Sequence, residues 1–117
     1  MTEASIQVLE YQTEDGRQPF TDWLLRLRDP GAAYRIDSRL GRLRLGNFGD
    51  AKSVGKGVSE LRVPYGPGCR IYFGRTGNQM VILLCGGDKR SQQSDIQRAH
   101  EYWADYLRRG RHERASG

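Results

Sequence analysis

The segment GVSELRVPYGPGCRIYF, Gly57 to Phe73, constrains the fold more than any other stretch of the chain. Successive side chains of a β-strand point to opposite faces of a sheet. Before the Tyr65-Gly66-Pro67-Gly68 punctuation, Leu61 and Val63 therefore share one face and Glu60 and Arg62 the other. After it, Ile71 and Phe73 take one face and Arg70 and Tyr72 the opposite one. Gly-Pro-Gly suits a reversal of direction, so the segment predicts an antiparallel hairpin. One face is apolar and the other gathers Arg62, Arg70 and Tyr72, a combination that can hold an anion. The plainer reading is the solvated side of an antiparallel sheet, which is polar whether or not anything binds there. The neighbours favour the anion: Lys52 and Lys56 lead into the hairpin, and Lys89 and Arg90 leave the strand that follows it.

The remaining signals place scaffold on both sides. Ser5 to Tyr11 reads as a short strand, followed by a polar turn from Thr13 to Arg17. Pro19 suits the first position of a helix, and Phe20, Trp23, Leu24 and Leu27 keep the spacing of a stripe packed on a core. Asp29-Pro30-Gly31 breaks that helix. A second, Ala32 to Leu45, carries Ile36, Leu40 and Leu43 inward until Gly46-Asn47 ends it. On this helix Arg35, Arg39 and Arg42 form a basic row about 100° from the apolar stripe, able to meet phosphates or an acidic partner, or simply to be solvated.

Phe48 to Lys56 is glycine-rich and basic but fails as a phosphate-binding P-loop. Gly49 precedes Gly55 by six residues where the motif needs five, and Gly57 stands where a Ser or Thr would hold magnesium. Gly55, Lys56 and Gly57 read instead as a mobile approach to the hairpin, its lysines in solvent. QMVILLC, Gln79 to Cys85, is apolar on both faces and so predicts a central strand covered by helices on at least one side. Ser91 can cap a last helix, Gln92 to Arg108, with Asp95 in its first turn and Ile96, Ala99, Trp103 and Leu107 on its buried side. The reading is one domain over residues 1–109 and a basic, disordered tail over 110–117.

Composition narrows the partners. Nineteen basic residues face fourteen acidic ones, and sixteen of the nineteen are arginine, whose planar fork matches phosphate oxygens and stacks on bases. Nucleic acid is the first partner to consider, although a net charge of +5 also suits simple solubility. No apolar run reaches the roughly 18 residues of a membrane span, and no charged-then-apolar leader opens the chain, so a cytoplasmic protein with no membrane partner is expected. Cys69 and Cys85, with His100 and His112, lack zinc-site spacing. Both cysteines read as buried thiols, and neither a metal nor another cofactor is expected.

Five motifs stand in order: F-x-x-W-L at Phe20 to Leu24, G-N-F-G-D at Gly46 to Asp50, G-x-G-V-x-E-L-R at Gly55 to Arg62, G-P-G-x-R-x-Y-F at Gly66 to Phe73, and L-L-x-G-G-D-K-x-x-Q-x-x-D-I at Leu83 to Ile96. Together they resemble the RelE/ParE superfamily of bacterial toxin–antitoxin systems, most closely the HigB-like addiction module killer branch. Cys69 departs from the pattern, standing where an aromatic residue commonly precedes the Arg. The resemblance implies an α+β fold: an N-terminal strand, a two-helix hairpin, a mostly antiparallel sheet of four to five strands and a C-terminal helix.

It also implies a metal-independent endoribonuclease that cuts messenger RNA on the ribosome and is held inactive by a cognate helix-turn-helix antitoxin, with DNA reached only through that complex. Carried over by position, Arg62 and Arg70 match the strand arginines, Lys52 and Lys56 the basic loop before them, and Lys89 the basic residue after the last strand. Cleavage of RNA by its own 2′-hydroxyl needs a base, positive charge on the phosphorane oxygens and an acid for the leaving oxygen. Arg62 and Arg70 suit the charge. Tyr72 or a lysine such as Lys56 suits the proton transfers, and Lys52, Arg35, Arg39, Arg42 and Arg90 suit the RNA backbone. The same fold also serves gyrase poisons of the ParE type, and a basic face can hold RNA without cutting it.

Overall fold

The computed structural model describes residues 5–66 and 68–116, with side chains as far as residue 110. Five strands and three helices follow in the order β1 (Gln7–Glu10), α1 (Pro19–Arg26), α2 (Pro30–Arg44), β2 (Ala51–Gly55), β3 (Val58–Val63), β4 (Cys69–Thr76), β5 (Met80–Gly87) and α3 (Gln92–Ser116). The sheet has the order β1-β5-β4-β3-β2, antiparallel except where β1 runs parallel to β5. This is the expected α+β architecture. Among the described residues no helix is long and apolar enough to cross a membrane.

The predicted antiparallel hairpin is present, with the predicted side chains on each face. Leu61 faces Ile71, Arg62 faces Arg70 and Val63 faces Cys69. The turn closes with the Gly68 amide donating to the Tyr65 carbonyl at 3.0 Å, and Gly66 and Gly68 both take the positive φ that glycine tolerates. Pro67 lies outside the described residues. Leu61, Val63, Ile71 and Phe73 pack under α1 and α2 against Phe20, Ile36, Leu40 and Leu43, so the apolar face is as expected. Asp29-Pro30 proves to be a helix start as well as a break: Asp29 caps α2 by accepting from the Gly31 amide at 2.9 Å.

The structure corrects three expectations. Lys52 lies in a strand, where a basic loop was expected: Ala51 to Gly55 forms β2 and pairs with β3. The glycine signal belongs to the turn beyond it, where Gly55, Lys56 and Gly57 all take positive φ. The opposite face of the hairpin is also not solvated. Helix α3 lies across it, burying Tyr72, Val58, Ile82 and Leu84 with Ala99 and Trp103. The sheet is thus covered by helices on both faces, as the two-faced apolar β5 requires. Helix α3 runs to Ser116, past Arg108, so the segment read as a disordered tail carries helical backbone; its Arg, Glu and Ala residues are good helix formers.

Two devices hold α3 in place. Gly74 and Gly57 lack the Cβ that would strike the Trp103 ring, so the helix can approach β4 closely. At its far end the Tyr11 hydroxyl donates to the Asp105 carboxylate at 2.6 Å, which Arg109 also contacts at 2.9 Å. The hydrogen bond from Tyr11 and the charge of Arg109 hold the Asp105 carboxyl below its ordinary value, while burial and Asp105 push the Tyr11 hydroxyl up to about 12.

Two outcomes are expected. Gly74→Ala forces Trp103 to shift and should destabilise the protein by about 1–3 kcal/mol in denaturant unfolding. Because the folded Asp105 has the lower pKa, its stabilisation is present above the ordinary carboxylate range and is lost as pH falls through the folded value. Stability measured from neutral pH into acid should therefore fall less steeply in Asp105→Asn than in the parent.

Candidate functional site

The face of the sheet under the N-terminal end of α3 carries two cross-strand rows set by register. Lys52 on β2, Glu60 on β3, Tyr72 on β4 and Cys85 on β5 form one. The next, nearer the end of the sheet, runs from Arg62 through Arg70 to Gly87, with Asp50 beside Arg62, whose amide donates to the Asp50 carbonyl at 3.0 Å. Each row holds an acid beside a base, Glu60 beside Lys52 in the first and Asp50 beside Arg62 in the second, while Arg62 and Arg70 are like charges side by side. Cross-strand neighbours lie about 4.5–5.5 Å apart at Cβ, so Lys52, Arg62 and Arg70 belong to one patch.

Burial divides that patch. Glu60 is fully enclosed, and a single oxygen, Oε2, accepts from the Tyr72 hydroxyl at 3.0 Å and from Gln92 Nε2 at 2.9 Å. Arg70 Nε stands 3.7 Å from the same oxygen, with its side chain only 9% exposed, while Arg70 Nη1 donates to the Gly68 carbonyl at 3.1 Å. Glu60 Oε1 and Arg70 Nε have no hydrogen-bond partner. Burial, then the charge and hydrogen bond of Glu60, push the Tyr72 hydroxyl far above the ordinary phenol range. Tyr72 therefore stays protonated at neutral pH and donates to Glu60. This corrects the expectation that Tyr72 faces solvent: enclosed under α3, it has no face on which a base could stack.

Arg62 differs from Arg70 although the two are directly opposed. Its side chain is 45% exposed and its only ion pair among the described residues, with Asp50, is open to water at 3.5 Å. Such a pair contributes about 0.2–1 kcal/mol, so an incoming phosphate competes with it readily. Lys52 is exposed with no ion pair among the described residues. Lys89 and Arg90 are exposed in the turn that follows Gly87, the register partner of Arg70, and so emerge at the same end of the sheet. Arg90 reaches Asp88 at 3.8 Å.

Four residues of the expected site lie elsewhere. Lys56 sits at the tip of the β2–β3 turn with φ 56°. The run from Val58 to Arg62 alone covers about 13 Å of strand, which places Lys56 at the other end of the sheet. Arg35, Arg39 and Arg42 ride on α2, the layer covering the opposite face. Arg35 lies 5.3 Å from the Tyr65 ring centroid, Arg42 is exposed, and Arg39 packs beside Gly49 with Nη2 buried and lacking a hydrogen-bond partner. The row does not join the patch. Conversely, Glu60 was legible as a face-mate of Arg62 and Arg70 but was not singled out; its alternation with arginine was the available signal.

Fold and site define an α+β protein with a five-stranded sheet between two helical layers and a mixed-charge patch at one end of the sheet. No family model matches the chain. Over 80 residues it is 48% identical to a Haemophilus influenzae protein described as uncharacterized, covering 68% of this chain and 81% of the relative. The chain belongs to one family with that protein.

Tyr72→Phe keeps the ring and removes a donor from a buried carboxylate. It should cost about 1–3 kcal/mol of unfolding free energy, whereas Arg62→Ala at the exposed rim should change stability by less than about 1 kcal/mol. Equal losses in the two variants would contradict the division between inner and outer cations.

Proposed function

We propose that this protein is the toxin of a toxin–antitoxin pair, an endoribonuclease that cleaves messenger RNA on the ribosome without a metal ion and is neutralised by a helix-turn-helix antitoxin. The observation that carries the reading is the convergence of Lys52, Arg62 and Arg70 on one face of three consecutive strands, with Lys89 and Arg90 leaving the same end. The motif pattern that resembles RelE and HigB supports it independently.

In this reading the RNA 2′-oxygen attacks the adjacent phosphorus, the bond from phosphorus to the 5′-oxygen breaks, and a 2′,3′-cyclic phosphate and a 5′-hydroxyl result. Arg62 and Lys52 meet the phosphorane oxygens from the rim, where their charges offset the developing anion, and Lys89 and Arg90 hold the flanking backbone. Arg70 stands behind them, held by Glu60. Tyr72 takes no part while its hydroxyl is held by Glu60 and its ring is buried under α3. Acid–base help is therefore limited, and much of the rate comes from positioning of the message by the ribosome.

A second reading, an RNA-binding domain that does not cut, is favoured by one observation: Tyr72 and Arg70, two of the groups expected to do chemistry, are engaged internally by Glu60. Purified protein incubated with ribosomes carrying a defined message distinguishes the two. Cleavage by the parent, slowed about 10²-fold in Arg62→Ala, is the expected result. RNA binding with an intact message establishes the second reading. Growth arrest with double-strand DNA breaks and uncut message would overturn both.

A further inference from the structure

A second concavity lies on the other side of the α3 N-terminus from the charged patch. Strand β1 pairs with β5 only as far as Glu10 opposite Leu83, with one further bond from the Tyr11 amide to the Leu83 carbonyl. Beyond that point β5 has no strand neighbour on this edge among the described residues. A cleft of about 410 Å³ opens there between α1 and α3, floored by Cys85, Gly86 and Gly87. Its size falls within the range of pockets that take small ligands.

The cleft is built by the sequence that surrounds it. Any Cβ at Gly86 would strike the Trp23 ring, and any at Gly87 would strike the Asp95 carboxylate; the two glycines let α1 and α3 close on the strand from either side. Trp23 and Tyr102 give it aromatic walls. Tyr102 stacks on Tyr11 by one face, at 5.0 Å between ring centroids. Several of the polar groups are already engaged: Asp95 accepts from the Ser91 hydroxyl and pairs with Arg98 at 3.0 Å, and Asp88 receives the Ser91 and Arg90 amides. Asp22 and Arg26 are different. They lie one turn apart on α1, both exposed, and neither side chain has a hydrogen-bond or ion-pair partner among the described residues.

Aromatic walls, a carboxylate acceptor and an arginine fork suit a nucleobase with an amino group: aromatic rings take the π-face, a carboxylate accepts from an exocyclic amine, and guanidinium donates to the carbonyl and ring-nitrogen acceptors of the base. The cleft also communicates with the patch. Gly87 lines the cleft and pairs with Arg70, and Asp88 and Ser91, which flank Lys89 and Arg90 in the chain, line the cleft as well. Building on the proposed RNA-directed function, we infer that the α1–α3 cleft receives one unstacked base of a single-stranded RNA whose backbone is held by Arg62, Lys52 and Lys89. Asp22 and Arg26 read that base, and the patch grips phosphates without regard to sequence.

The test titrates a short single-stranded RNA, and the same RNA made abasic throughout, into the parent, an Asp22→Asn/Arg26→Ala variant and Arg62→Ala. The chain has two tryptophans, so the indole N–H signals in an NMR spectrum report the cleft through Trp23 and the folded core through Trp103. Intact RNA should move the Trp23 signal and leave Trp103 in place. The cleft variant should bind intact RNA about tenfold more weakly and abasic RNA as the parent does, whereas Arg62→Ala should weaken both alike. RNA binding that leaves Trp23 unmoved, or a cleft variant that weakens both RNAs equally, overturns the base pocket and leaves the RNA-directed function standing. A folded parent that binds neither RNA at low salt overturns both.

Discussion

Glu60 puts a carboxyl group on an inner strand of the sheet with no access to water, and its surroundings are arranged around that group. A buried charge without partners is far costlier than any single packing defect, so the groups around Glu60 are constrained in turn. Tyr72 supplies a hydroxyl from β4, Gln92 an amide from the first turn of α3, and Arg70 a guanidinium nearby. Two consecutive strands and the helix that begins after β5 meet at one oxygen. The position of the α3 N-terminus follows from the carboxylate beneath it as well as from the apolar stripe of Ala99 and Trp103.

That arrangement has a consequence for the basic face. Arg62 and Arg70 sit opposite each other, and two guanidinium groups so placed repel unless an acid lies between or beside them. Glu60 answers the inner arginine and Asp50 the outer one. The two pairs differ in kind: the exposed one is weak and exchangeable, and the buried one is costly to break from either side. A polyanion approaching the sheet therefore meets Arg62, Lys52 and the Lys89 turn, while Arg70 contributes from behind with its orientation fixed.

Much of the architecture was legible because it depends on local periodicity. The Leu61, Val63, Ile71 and Phe73 set and the Ile36, Leu40 and Leu43 stripe each had one compatible face to pack against, and the structure joins them. The uninterrupted QMVILLC run called for helical cover on at least one side, and it has cover on both. Strand β2 was hidden because Lys-Ser-Val-Gly offers no alternation, and its pairing with β3 depends on a register that no local pattern encodes. The enclosure of Tyr72 was hidden for a related reason. Alternation says which side chains share a face, but not what lies over that face, and α3 begins twenty residues after Tyr72. Arg, Tyr and Glu on a strand read as solvated until the covering helix is placed.

The same reasoning explains why the cleft beside α1 left little trace in the sequence. Its floor, Cys85-Gly86-Gly87, looks like the end of a strand, and its walls come from helices some sixty residues apart. Only the close approaches reveal the design: Gly86 under Trp23 and Gly87 under Asp95 remove side chains where two helices must converge on one strand end. Glycine in a strand weakens pairing and packing, and here both glycines still pair with β4, Gly86 with Ile71 and Gly87 with Arg70. The strand accepts that weakness at the point where the charged patch and the cleft share a wall, so a change at either glycine would disturb both together.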